Sequence, residues 1–344
     1  MSKGWTGNFF EDFSLGQMLP CPTPRTLSDG DISQYIALTG DRTPALSTHG
    51  ALHPLLVFHQ VLGQTVRHAS LNAVANLGYA ELRFHPGTPR AGCTIHTTNE
   101  VIGLKENSSG TSGIVWLRTI GRSEDGQDLL SYVRWVMVRK RDSAPTPWRV
   151  SPVIPDLSDS VSPEQLRESA LHTAHATPTH GWTFEDYQVG ERIFHHDGHT
   201  VTPGEHMSFT RSFQNSARVH FDAIETKGEP LVFGGYVMSI GYAQMLNGMD
   251  NRLGLVAINA GTHAHPVHAG DTLYSMTEVL QIDPLAGAAV GALRCRLRVL
   301  KNDNPATNPQ RIYGPAREEP SVVLDLDLWE LMPKAPGPST RSEP

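Results

Sequence analysis

Residues 213–222 read Phe-Gln-Asn-Ser-Ala-Arg-Val-His-Phe-Asp. Asn215 and His220 stand five positions apart, with Arg218 between them and Asp222 just after. An imidazole titrates near neutral pH, so His220 can take and return a proton there. Asn215 cannot act as a base, because an amide has no accessible proton equilibrium, but it can accept and donate hydrogen bonds. Arg218 offers a planar fork that matches a carboxylate. Gly235 follows "LVFG" at the start of an apolar helix. Helix N-termini present free backbone N–H groups and partial positive charge, and a glycine lets a ligand carbonyl approach them. Each residue also has a structural reading. Asn215 suits a turn or helix end, Arg218 could pair with Glu225, the "GG" pair could relieve helix packing, and Asp222 could cap a helix or orient the His220 ring.

A second stretch, "TGDRTPALST" at 39–48, resembles the first but has an Asp where the first has Asn215 and a Leu where it has His220. "FEDFSLGQ" begins at Phe10 and "FEDYQVGE" at Phe184, an offset of 174 (184 − 10). At that offset Asp41 falls on Asn215 and Leu46 on His220, with no gap needed. Later, "AGCTIHTTNEV" from Ala91 meets "AGDTLYSMTEV" from Ala269, and "LVF" at 56–58 meets "LVF" at 231–233. Repeats this long imply a duplicated domain rather than solenoid units. The "LVF" match sets Gly234 and Gly235 against His59 and Gln60. The second half is then the one suited to chemistry, and Asp41 is expected to serve a turn.

The elements that must carry these residues follow one grammar in each half. Amphipathic segments at Asp29–Leu38 and Gly204–Phe213 precede apolar helices at Leu55–Val66 and Phe233–Leu246, which lack a polar face and should be buried. Strands follow. "LRCRLRVL" at 293–300 alternates with period two, and 132–140 and 322–331 do much the same. The expected class is α+β, with antiparallel sheet wrapped around a central helix, twice. Expected boundaries are a first domain at 1–143, a Pro- and Ser-rich linker at 144–180, a second domain at 181–334 and a flexible tail at 335–344.

The chain has 344 residues and a formal net charge of −7, which argues against nucleic acid as a partner. Cys21, Cys93 and Cys295 are far apart and show no metal-ligand spacing. Neither a signal peptide nor a membrane span is evident, so the sequence reads as a cytoplasmic protein, possible as a homo-oligomer. His263, His265 and His268 in "GTHAHPVHAG" tempt a metal reading, with the first two on one face of a strand. No acidic or thiol partner supports it, so they are expected to line a pocket instead, with no metal and no cofactor.

The motifs "FFEDF.LGQ", "TGDRTP", "NSARVHFD" and "HAGDTL" resemble the MaoC-like dehydratases, in their double hot-dog form. "NLGYA", "YVRWVMVRKRD" and "QNSARVHFDA" are similar to its mesaconyl-CoA hydratase group. The resemblance implies reversible syn hydration of an enoyl-CoA thioester. In the broad family an Asp and a His, spaced as in "DxNPxH", hold the reacting water. Here the His position is His220 and the Asp position is Asn215, while the first half keeps Asp41 and has Leu46. The resemblance therefore implies that His220 is the acid/base, that Asn215 orients water, and that backbone near Gly235 receives the thioester oxygen. Arg218 replaces the Pro of the pattern, and it is expected to bind a substrate carboxylate such as that of mesaconyl-CoA. A hot-dog acyl-CoA thioesterase and a non-catalytic acyl-CoA-binding protein remain as alternatives, the second because neither half keeps the full Asp–His pair.

Overall fold

The computed structural model describes residues 3–43, 50–87, 89–153, 161–172 and 181–336. Leu46 and most of the 335–344 segment lie outside these. The first half holds strands β1 (Met18–Leu19) and β2 (Arg25–Thr26), helices α1 (Asp29–Thr39) and α2 (Pro54–Ala69), and strands β3 (Ala73–Phe84), β4 (Thr94–Glu106), β5 (Ser112–Arg122), β6 (Asp128–Arg139) and β7 (Arg149–Val150). After α3 (Pro163–His172), the second half holds β8 (Arg192–Thr200), α4 (Pro203–Ser212), α5 (Gly234–Gln244), β9 (Gly254–His263), β10 (Thr272–Asp283), β11 (Val290–Lys301) and β12 (Val322–Pro333).

The local chemistry repeats with the sequence. Ser28 caps α1 in a box with Asp31, and Thr202 caps α4 in a box with Glu205. Short 3₁₀ turns at Phe10–Asp12 and Phe184–Asp186 open the two halves. α2 and α5 are buried along nearly their whole length, which is why neither sequence shows a polar face. Arg294, Arg296 and Arg298 alternate along β11 and pair across the sheet with Asp327 and Asp325 at 2.7–3.1 Å.

One antiparallel sheet runs through both halves, in the order β1-β4-β5-β6-β3-β9-β12-β11-β10-β8. The halves join where β3 pairs with β9, Ala80 opposite Ala260. The first-half strands wrap α2 and the second-half strands wrap α5, and one large core holds residues of both helices. The architecture is α+β, a double hot-dog. The segment expected as a linker carries structure: β7 pairs with β4, and α3 buries Leu166 and Ala170 against Val256, Trp329 and Leu331 of the second half.

Candidate active site

Between the halves lies a cavity of about 460 Å³, and both Asn215 and His220 line it. Asn215 gets there because the chain turns sharply after α4. Gln214 adopts a left-handed conformation, φ 58°, and its side chain accepts from Gln60 Nε2 of α2 at 2.5 Å. Gly63 of α2 faces the same turn. A Cβ there would overlap the Phe213 carbonyl and stand 3.3 Å from the Asn215 nitrogen. The first half's helix thus seats the second half's loop, through a glycine that the sequence reading did not single out. Asn215 Oδ1 accepts the Ala217 N–H at 3.0 Å, the same contact that Asp41 Oδ1 makes with Thr43 N at 2.9 Å. With the oxygen so occupied, Asn215 Nδ2 has no protein acceptor among the described residues.

His220 ends a single 3₁₀ turn, Arg218–His220, and is buried. Its Nδ1 is 2.8 Å from the Leu231 carbonyl. A carbonyl can only accept, so Nδ1 carries the proton and Nε2 the free lone pair. Nε2 meets no protein partner among the described residues. Burial pulls the His220 pKa down to about 4, against the Leu231 hydrogen bond that favours the charged ring. The ring is therefore neutral at pH 7 and available as a base. Asp222 does not orient it: Asp222 Oδ1 accepts the N–H groups of Ile224 and Glu225, both at 3.0 Å, and so caps the following turn.

α5 begins beside these two residues. Phe233 supplies no side-chain cap, so its first amides lack that partner as well as an intrahelical one. Gly234 lines the cavity, and a Cβ on it would overlap the His263 ring. Gly235 sits one step deeper, where a Cβ would crowd the Phe233 ring and stand 2.8 Å from His59 Nδ1. The "LVF" alignment proves misleading. Residues 56–58 lie inside α2, whereas 231–233 precede α5. The helix starts are 180 apart (234 − 54), so Gly235 corresponds to Leu55, and His59 to Ser239, whose Oγ lies 2.7 Å from His59 Nε2.

Arg218 departs from expectation. Its guanidinium bonds to Asn72 Oδ1 and, at 3.0 Å, to the Thr6 carbonyl, and it is not part of the cavity wall. The tight turn that sends His220 inward sends Arg218, two residues earlier, across to the first half. Glu225 pairs with Arg139 instead. His263, His265 and His268 all line the cavity, but β9 ends at His263, so the shared-face argument for the first two does not hold. His263 Nε2 is 3.0 Å from the Tyr79 hydroxyl.

The first half has a counterpart cavity of about 150 Å³, lined by Thr43, His53 and Tyr242. Asp41 is fully buried beside it, 3.2 Å from Arg252 Nη2 and 3.2 Å from His53 Nε2. Burial would raise its pKa, but Arg252, His53 and Thr43 together hold it well below the usual carboxylate range. Asp41 and His220 thus belong to different sites.

Arg134 of the cavity wall had no role assigned from the sequence. In "YVRWVMVRK" the inward positions of β6 are Tyr132, Arg134, Val136 and Val138, all buried. An arginine on the apolar face of an alternating strand was the available signal.

Solved structures share this architecture. A MaoC-domain protein from Chloroflexus aurantiacus J-10-fl superposes with a TM-score of 0.83 at 39% identity, over 98% of this chain and 100% of that one. A Mycobacterium tuberculosis protein with a double hotdog fold gives 0.73 at 25% identity, over 94% and 98%. Fold and sequence likeness together define a MaoC-like double hot-dog dehydratase, an enzyme of the hydro-lyase class. A family model described as mesaconyl-CoA hydratase matches residues 3–148. The chain is 42% identical over 351 residues to a β-methylmalyl-CoA dehydratase of Chloroflexus aurantiacus, covering 95% of this chain and 97% of the relative. It is 44% identical over 347 residues to a mesaconyl-CoA hydratase of Cereibacter sphaeroides, covering 95% and 98%. The chain belongs to the mesaconyl-CoA hydratase family.

Proposed function

We propose that this protein reversibly hydrates mesaconyl-CoA to β-methylmalyl-CoA at the cavity between its halves. The observation that carries the reading is that His220 and Asn215 line one cavity together with Gly234 at the start of α5. Asn215 Nδ2 donates to the oxygen of a water molecule, and that water donates to His220 Nε2. As Nε2 takes the proton, the oxygen bonds to the β-carbon, which bears the substrate's free carboxylate. The double-bond electrons move toward the thioester carbonyl. Its oxygen gains charge against the backbone N–H groups at Gly234 and Gly235, where a fixed dipole counts most because no reorganisation is needed. His220 then returns the proton to the α-carbon from the same face. The base and the acid are one residue, so addition is syn, and water is consumed with no other reactant.

Asn in place of a carboxylate leaves proton transfer to His220 alone. The neutral ring suits this, because a base already protonated at pH 7 would have to lose that proton first. The test is a spectrophotometric hydration assay with mesaconyl-, itaconyl-, crotonyl- and longer enoyl-CoA thioesters. The expected result is turnover fastest with mesaconyl-CoA, with no release of free CoA thiol. Thiol release in step with substrate loss would instead indicate a thioesterase, and binding without turnover would overturn the enzymatic assignment to this cavity.

A further inference from the structure

Arg134 enters the cavity wall from β6, fully buried. Three of its N–H groups go to neutral oxygens: Asn76 Oδ1 at 3.2 Å, Thr65 Oγ1 at 2.9 Å and Ser70 Oγ at 3.3 Å. Its Nε is buried without a partner. No carboxylate lies within ion-pair range among the described residues. Arg252, equally buried, has Asp41, and the arginines of β11 have Asp325 and Asp327. The acidic residue of the cavity wall, Glu229, stands exposed at its mouth and makes no ion pair with Arg134. Taking a guanidinium out of water without an anion is costly, and here burial pulls even the Arg134 pKa down. An uncompensated cation in the wall of a largely apolar cavity is a place prepared for an anion that arrives with the ligand.

We propose that Arg134 binds the free carboxylate of the substrate and so selects carboxylated enoyl-CoA thioesters over plain ones. This rests on the function proposed above, and it gives Arg134 the task the sequence suggested for Arg218. Among the described residues the cavity wall contains no lysine and no other arginine, so none of them competes for the role. With the carboxylate at Arg134 and the thioester oxygen at the start of α5, the double bond is held at both ends in the cavity that His220 lines.

Two experiments test it. The first compares Arg134→Gln, whose amide can still bond to Thr65 and Ser70, with wild type. The kcat/KM for mesaconyl-CoA should fall about 100-fold, as loss of a charge-assisted contact implies, and that for crotonyl-CoA by no more than about threefold. Equal losses on both substrates overturn the proposal and leave the hydratase reading standing. The second needs neither a variant nor turnover. By calorimetry, wild-type protein should bind succinyl-CoA at least about tenfold more tightly than butyryl-CoA, which lacks the carboxylate. Equal affinities overturn the proposal even if Arg134→Gln fails to fold. If wild type hydrates no enoyl-CoA, the proposed function falls, and the binding preference still decides the role of Arg134.

Discussion

Arg252 Nη2 lies 3.2 Å from Asp41 Oδ2, with both side chains fully buried, and the two come from opposite halves of the chain. Through this contact the second half neutralises the carboxylate that the first half retained from the duplicated motif. At the pseudo-equivalent crossing, Asn72 stands 180 positions before Arg252 and accepts from Arg218. One duplicated position therefore locks a charge in the first half's site, while the second half's site is left open with a neutral base.

Asp41→Ala should strand the Arg252 charge and cost about 3–5 kcal/mol of stability, as breaking a buried pair does. Activity per folded molecule should change little. His220→Ala should do the reverse, with kcat down at least about 100-fold and a much smaller shift in denaturation midpoint. Urea titrations alongside steady-state kinetics check both. A comparable kcat loss in the two folded variants would place chemistry in the wrong half.

The buried histidines give the pH dependence a definite sign, opposed among the described residues only by Glu330, whose carboxyl is pushed up to about 7 by burial. His220, His195 and His263 each have a folded pKa near 4, lowered chiefly by burial. The unfolded value is about 6.5, so between about pH 6.5 and 4 the unfolded chain binds more protons. Stability should be intact above that window and fall as pH drops through it, with Asp41 adding a further loss below about pH 4. The acid limb of kcat/KM should likewise lie well below that of an ordinary histidine. Thermal melts from pH 7.5 to 4.5 and a pH–rate profile would show it. An acid limb centred at about 6.5 would contradict the buried neutral His220.

Asn215→Asp should keep measurable activity, because a carboxyl can still bond to the water and to Ala217 N–H. Asn215→Leu should be crippled, since it loses the water's donor and the loop's own hydrogen bond together. Single-turnover rates on folded protein separate the two. Wild-type kcat in the Leu variant would leave Asn215 a purely structural role.

Arg218→Met should affect the fold rather than specificity. It leaves the buried Asn72 oxygen without its donor, a loss of about 1–3 kcal/mol, while the Thr6 carbonyl keeps the Asn72 Nδ2 hydrogen bond at 3.0 Å. The ratio of kcat/KM for mesaconyl-CoA to that for crotonyl-CoA should stay within about twofold of wild type. A collapse of that ratio would return the carboxylate to Arg218.

The sequence by itself determined the duplication, the α+β class, the two buried helices, the alternating strands and the segment that carries His220 and Asn215. These are legible because they rest on local periodicity, capping residues and a motif within one short stretch. The tertiary structure decided everything that depends on two distant segments meeting. Arg134 looked like one more residue of an alternating strand until β6 was placed against the cavity wall without a counter-ion. Arg218 looked like a substrate contact until its turn was seen to point at Asn72. The "LVF" repeat suggested a register that the helix starts refute, because three apolar residues fit equally well before a buried helix or inside one. Sequence separation says nothing about which side of a one-turn helix faces a cavity, and charge compensation between residues about 200 apart leaves no local trace.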